Sequence, residues 1–387
     1  MQMPRIAART ALIEPFYVME VVKEAAELAA KGQSVIHLSI GEPDFTAPEP
    51  VRRAAIAAIQ RGETQYTSAL GLQPLRERIA QWYDVRFGCR VDPGRVVMTA
   101  GASGALLLAC AAMLEREAEL LMPDPSYPCN RHFATVLGGR ARLVPCGPEQ
   151  RFQLTAADLD AHWNDATGGV LVASPSNPTG TSIEPTVLAA LIDGVKCRNG
   201  FLISDEIYQG LSYGHAPRSA LQASDEVVVI NSFSKYFSMT GWRLGWIVAP
   251  APLVPVLEKL AQNLYICPST IAQQAALACF DDDALAIYEE RRSEFQRRRD
   301  FLLPALDELG FRVPVAPDGA FYVYADISGF AEDSSVFVGE LLRATGVCLV
   351  PGKDFGRAAP ERYVRVSYAT SLDRLEEAVE RMRRYLR

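Results

Sequence analysis

Seven short apolar runs between Arg95 and Val248 constrain the fold of this chain more than any other feature: Val96–Met98, Leu120–Met122, Ala141–Val144, Val170–Ala173, Phe201–Ser204, Val227–Ile230 and Leu244–Val248. Each has the length of a buried strand, and segments with helical spacing separate most of them. Strands that alternate with helices pack as an α/β structure around a largely parallel sheet. Ligands of such sheets bind beyond the carboxyl ends of the strands. The residues that follow each run are therefore where chemistry is expected.

After the sixth run comes NSFSKYFSMTGWRLGW, Asn231 to Trp246. Lys235 stands there among the hydroxyls of Ser232, Ser234, Ser238 and Thr240, with Arg243 further on. Desolvation and a nearby guanidinium both disfavour an ammonium, and an uncharged amine attacks a carbonyl to form a Schiff base. Ser232 and Arg243 suit a phosphate, since a hydroxyl donates one hydrogen bond and a guanidinium two in a fixed fork. Aldehyde plus phosphate describes pyridoxal phosphate (PLP). A polar loop carrying a solvated lysine satisfies the same stretch.

The other strand ends offer the remaining parts of such a site, each with a plainer reading beside it. Gly101, Ala102, Ser103 and Gly104 open a helix whose free amides and dipole suit a phosphate, or merely cap the helix. Tyr127, in PDPSYPCN, can stack on a planar ring or pack in the core. Asn177, in the SNPTG turn, can donate to a phenolate oxygen. Asp205 ends the strand FLISD, with Tyr208 three residues on. A buried carboxylate needs a cationic partner, which a protonated pyridinium, a lysine or an arginine would supply. The plainer readings do not explain why all these groups follow strands of one sheet.

The 387 residues exceed one small core and imply two domains. A net charge of -7 argues against a nucleic-acid partner. The run Arg291 to Arg299 is interleaved with Glu289, Glu290, Glu294 and Asp300 and reads as a solvated helix face. MQMPRIAART lacks the apolar core of a signal peptide and no run reaches membrane-spanning length, so a cytoplasmic location and no membrane partner are expected. Eight scattered cysteines without a CxxC pair imply buried thiols in a reducing compartment. His37, His132, His162 and His215 have no metal-ligand spacing, so no metal is expected.

Ahead of the alternating region, a mobile arm leads into a helix stopped at Gly32, a strand Val35–Ile40, the turn Gly41-Glu42-Pro43, a helix from Pro48 to Arg61, and a loop carrying Tyr66. Beyond it, a charged helix Ala284–Leu303 is expected to kink or break at Pro304. Strands Phe311–Val315, Phe321–Tyr324, Cys348–Val350 and Tyr363–Ser367 follow, then a helix from Leu372.

The order GASGA, PSY, SNPTG, SDEIY, SFSKYFSMTGWRLGW and YVRVSYA strongly resembles the class I/II, aspartate aminotransferase-like enzymes of PLP fold type I. The resemblance runs from about Ile36 to the C-terminus and implies a PLP-dependent aminotransferase moving an amino group from an L-amino acid to a 2-oxo acid. It implies a large domain, 47–280, with a mostly parallel seven-stranded sheet. A smaller α/β domain would be built from 281–387 and part of the arm 1–46. By resemblance Lys235 forms the Schiff base and shuttles the proton, Asp205 faces the pyridine nitrogen, Tyr208 and Asn177 bond the phenolate oxygen, and Tyr127 stacks on the ring. Gly101, Ala102, Ser103, Ser232, Arg243 and, from the other subunit of a homodimer with shared sites, Tyr66 would hold the phosphate. Arg365 would clamp the substrate α-carboxylate, with Asn177 and a Gly41 amide beside it.

Relatives specific for dicarboxylates use a basic residue where this chain has the neutral Gln262 and Asn263, or a lysine where it has Ser103. Neutral donors such as alanine or larger apolar amino acids are therefore expected, with Arg131 the residue that could reverse this and Phe16, Tyr17 and Tyr324 as aromatic lining. Two alternatives share the fold: a β-eliminating C-S lyase, and the effector domain of a transcription regulator. Such regulators carry a DNA-binding domain ahead of the fold, whereas here the pattern begins almost at Met1.

Overall fold

The computed structural model describes residues 6–386; the first residues of the expected arm and Arg387 lie outside the described residues. A 3-10 turn, Ala8–Leu12, precedes α1 (Tyr17–Ala30), β1 (Ile36–His37), α2 (Glu49–Gln60) and α3 (Gln73–Phe87). The alternating region holds β2 (Val96–Thr99), α4 (Gly101–Met113), β3 (Glu119–Asp124), α5 (Pro128–Val136), β4 (Arg140–Pro145) and α6 (Ala156–His162). It continues through β5 (Thr167–Ala173), α7 (Pro185–Lys196), β6 (Phe201–Asp205), β7 (Val228–Ser232) and β8 (Gly245–Val248). Helices α8 (Val254–Leu264), α9 (Thr270–Leu277) and α10 (Asp282–Glu308) come next. The chain ends with β9 (Tyr322–Asp326), α11 (Ser334–Thr345), β10 (Val347–Cys348), β11 (Val350–Pro351), β12 (Tyr363–Ser367) and α12 (Leu372–Leu386).

All seven expected strands form one sheet, ordered β2-β8-β7-β6-β5-β3-β4. β8 is antiparallel to both neighbours and the other pairs are parallel. Successive side chains of a strand face opposite layers. Val96, Met98, Trp246 and Val248 accordingly enter one core, while Val97 and Ile247 enter the other with α4 and α8. Apolar cover on both faces is why these strands read as continuous apolar runs. Because β8 runs against its neighbours, its start lies on the rim where the parallel strands end, which places Arg243 beside the residues after β2 and β7.

β1 pairs with β10, so the N-terminal segment joins the C-terminal one, and β11-β12-β9 form an antiparallel sheet there. The expected strand Val35–Ile40 is limited to Ile36–His37. Phe311–Val315 forms no strand, only a bridge from Arg312 to Asp326; Pro314 and Pro317 deprive that segment of ladder donors. α10 passes through Pro304 instead of ending before it. Leu302, Ala305 and Leu306 are buried on either side of the proline, and that packing holds the helix together despite the lost hydrogen bond.

Candidate active site

The rim of the large sheet meets α1 and the β9–β12 region around a cavity of ≈ 430 Å³. Of the residues singled out from sequence, Gly41, Ala102, Ser103, Tyr127, Asn177, Asp205, Tyr208, Lys235, Arg243 and Arg365 line it. They come from the segments after β1, β2, β3, β5, β6 and β7, from the approach to β8, and from the middle of β12. Strand-end residues converge because parallel pairing brings those ends to one rim.

One end of the cavity is built to hold an anion. α4 begins at Gly101 with φ +73°, and its N-cap, Ala100, offers no side-chain acceptor to the first-turn amides. A Cβ on Gly101 would lie 2.7 Å from Nη2 of Arg243, so this position must stay bare for the guanidinium to reach the helix N-terminus. Gly245 allows the same approach from beneath, since a Cβ there would lie 2.8 Å from both the Asn231 oxygen and the Gly101 carbonyl carbon. Arg243 itself has φ +52°, and among the described residues its side chain donates only to the Thr240 carbonyl, at 2.9 Å. Ser103 and Ser234 line the cavity. Ser232, expected there, sits one layer behind: its Oγ is 2.9 Å from Ser234 Oγ and 3.1 Å from the Leu244 oxygen. Its position at the end of β7, paired with Gly245, turns it inward.

The middle of the cavity holds Lys235 and Asp205. The Lys235 ammonium donates to the Gly41 carbonyl. Burial, with the guanidiniums of Arg365 and Arg243 adding to it, pulls its pKa down to about 8 although Glu42 and Asp205 oppose the shift. Asp205 is 5% exposed and accepts from the Ile207 amide at 3.1 Å. Burial pushes its pKa up to about 6, more than that bond and Lys235 offset. Tyr208 shares a 2.8 Å hydrogen bond with Tyr322 between hydroxyls.

At the far end Arg365 is nearly fully buried, with Nη1 donating to Asn177 Oδ1 at 2.9 Å and Nη2 to the Ser39 carbonyl at 2.7 Å. The rings of Tyr322 and Phe355 flank its guanidinium at 4.4 and 4.9 Å. Nε has no partner within the described residues. A buried cation held by neutral groups is suited to an incoming carboxylate. Because Asn177 gives its oxygen to Arg365, its amide N–H groups remain for another acceptor.

Phe16 lines the cavity as expected, whereas Tyr17 is exposed and Tyr324 stacks on Tyr363 at a centroid distance of 4.7 Å. Tyr324 lies one strand repeat beyond Tyr322, which takes the place beside Tyr208. Tyr66 is 79% exposed in a separate groove with Thr270 and Gln274, away from its own chain's cavity. Sequence reasoning missed Tyr322, Asp354 and Phe355, which come from segments remote from the strand rim. The alternation of YVY marks Tyr322 and Tyr324 as sharing a face, but not which of them meets the cavity.

This donor set fits PLP: a bare helix N-terminus with a guanidinium and two hydroxyls for the phosphate, an amine of lowered pKa for the aldehyde, and a buried carboxylate short of a cation for the ring nitrogen. The wider comparison agrees. Residues 33–382 match the family model for aminotransferase class I and II. The chain is 43% identical to the valine–pyruvate aminotransferase of Mycobacterium tuberculosis, over 99% of this chain and 98% of that protein. A crystal structure of an aminotransferase from Mycobacterium tuberculosis superposes with TM-score 0.95 at 43% identity, covering 99% of each chain. The aspartate aminotransferase of Thermus thermophilus with maleate gives 0.93 at 34% identity, over 99% of this chain and 100% of that one. These relatives are all aminotransferases, and none points to the eliminating lyase chemistry. The chain belongs to the class I and II aminotransferases and is a PLP-dependent enzyme that moves an amino group between an amino acid and a 2-oxo acid.

Proposed function

We propose that this aminotransferase takes neutral, preferably apolar, amino acids as donors. The observation that carries this is the allotment of charge. Among the described residues, the cations that line the cavity are Lys235, Arg243 and Arg365, and each has a task that leaves none for a second substrate carboxylate. Arg131, the residue that could have supplied one, is not among the lining residues and is already engaged: its Nη2 donates to the Asp354 carbonyl at 3.3 Å and lies 3.6 Å from Glu14. Ser103 is neutral, and the wall facing the rim carries Phe16, Val18, Met19 and Val22. A buried carboxylate without a cation would cost several kcal/mol. The similarity to a valine–pyruvate aminotransferase supports the same reading.

When bound, PLP supplies an aldehyde for the amino group and an electron-accepting ring. Arg365 takes the substrate α-carboxylate, with Gly41 beside it. Lys235, its amine partly neutral at neutral pH, would be the base that takes the substrate Cα proton. Asp205, a buried carboxylate, would pair with a protonated ring nitrogen. Tyr208 and Asn177 would donate to the cofactor's phenolate oxygen, and Tyr127 would pack on its ring. Ala102 and Ser103 on α4, Ser234 and Arg243 would hold the phosphate, with Gly101 giving Arg243 room and Ser232 orienting Ser234.

The large domain is assigned to 47–280, which contains the whole sheet, and the smaller one to 281–387 with part of 1–46, a union the β1–β10 pairing supports. Tyr66, Leu264 and Ile266 are exposed apolar side chains, and the Tyr66 loop is tied to Thr270 on α9, which supports a homodimer whose sites are shared. Free cysteines, five of the eight buried, support a cytoplasmic location. No helix among the described residues is long and apolar enough to cross a membrane.

The test is a donor panel with pyruvate or another 2-oxo acid as acceptor. The kcat/KM for valine, leucine or alanine is expected to exceed that for aspartate by at least about tenfold. A preference for aspartate would overturn the assignment.

A further inference from the structure

α1 begins without a cap of its own. Phe16 occupies the N-cap position and has no side-chain acceptor. The missing acceptor comes from far along the chain: Asp354 Oδ1 receives the Tyr17 amide at 3.0 Å, and the Val18 amide also turns toward this carboxylate. Asp354 is 2% exposed and itself lines the cavity. Around it, Glu14 lies 3.6 Å from Arg131 and 3.7 Å from Arg357, and Arg131 donates to the Asp354 carbonyl. Val18 packs on the cluster containing Phe355 and Tyr324. The start of α1 is thus tied to the Asp354 loop, while Val21, Ala25 and Leu28 pack with Leu342 and Cys348 further along, and the first two turns supply one cavity wall.

We propose that Asp354 is a positioning residue for substrate selection: by accepting from the first-turn amides of α1 it holds Phe16, Val18, Met19 and Val22 where an apolar substrate side chain packs. This rests on the apolar-donor reading for its consequence in catalysis, though not for the attachment itself. The carboxylate bridges 337 positions of chain, so it couples the wall directly to the loop whose next residue, Phe355, flanks the Arg365 guanidinium. A substrate held by its α-carboxylate then meets a wall set at a fixed distance. Donors with a large side chain depend on that distance, whereas alanine barely reaches the wall.

The test uses the PLP-loaded enzyme and the variants Asp354→Ala and Asp354→Asn. Hydrogen exchange of the peptide spanning residues 13–22 is expected to quicken at least roughly fivefold in D354A, as loss of a cap implies. The kcat/KM for leucine should fall about tenfold, through KM more than kcat, and that for alanine by a clearly smaller factor. D354N keeps one acceptor oxygen and should recover much of both effects. Unchanged exchange in D354A, equal losses for leucine and alanine, or a D354N as impaired as D354A would each overturn the proposal. The exchange readout involves no donor, and the wild-type panel involves no variant, so failure of the apolar-donor reading is seen separately.

Discussion

Burial drives Asp205 and Lys235 toward neutrality from opposite sides, one pKa rising to about 6 and the other falling to about 8. For Asp205 this makes the cofactor-free protein pH-sensitive. The folded state holds the carboxyl proton up to about pH 6 and the unfolded state releases it near 3.8. Between those values the folded state binds more protons, so this group's contribution to stability falls as pH rises and stays low above about 6. Asp205→Asn has no charge to desolvate. Cofactor-free D205N should therefore melt at or above the wild type at pH 7 and lose that advantage below pH 4. With PLP bound the order should reverse, because the carboxylate then has a cation, and kcat/KM should fall by on the order of 100-fold. Melting curves of both forms across pH decide it; a cofactor-free wild type more stable than D205N at pH 7 would sink the account. Lys235 has the opposite sign, its amine becoming available as pH rises, so PLP capture by the cofactor-free enzyme should accelerate with pH and level off above about 8. A capture rate flat from pH 6 to 9 would contradict this.

The elements matter through their ends. α4 is apolar almost throughout and would be buried in any case, but its first residue decides whether a phosphate can approach. Gly101→Ala places a Cβ 2.7 Å from Arg243 Nη2 at a φ of +73° that alanine tolerates poorly. Arg243 must then withdraw from the helix N-terminus. PLP affinity is expected to weaken about tenfold or more, with little change in far-ultraviolet circular dichroism. A fluorescence titration giving wild-type affinity would show that the guanidinium does not need that space. β8 shows the same logic at a strand end: reversing one strand in a parallel sheet brings an N-terminal flank to the active rim, so Arg243 and Lys235 meet although a whole turn of chain separates them.

At the scale of the molecule, the site assembled from one chain lacks one expected contributor. Tyr66 lies on an exposed loop, tied through the Gln65 carbonyl to the Thr270 hydroxyl on α9 and directed away from its own cavity. If a twofold brings it to the partner's phosphate, Tyr66→Phe removes a donor to a charged group and should loosen PLP by about tenfold. Secondary structure and assembly should be unaffected. Sedimentation of the wild type is expected to give a dimer, and a fully active monomer, or a Y66F variant that retains PLP as the wild type does, would dissociate Tyr66 from the site.

Read from the residues alone, the chain yields the seven-stranded sheet and puts most of the candidate site residues at its rim. Strand-forming runs covered by helices on both faces are local in pattern, and Lys235, Asp205, Asn177 and Arg243 follow or precede those runs at short fixed offsets. Tertiary structure alone decided what depends on contacts between distant segments. Ser232 and Ser234 both belong to SFSK, but only packing against Leu244 and Gly245 puts the first behind the second. Tyr322 and Tyr324 share one face of β9, and only the meeting of β9 with the turn after β6, where Tyr208 sits, selects Tyr322 for the cavity. Pro304 reads as a break, yet burial on both sides of it carries α10 through. Asp354 is an unremarked acid in PGKDFG until α1, from the other end of the chain, brings its uncapped amides to it. Local periodicity encodes which face of an element is apolar; it does not encode which distant element arrives to meet that face, and the apolar wall of this cavity is built from such meetings.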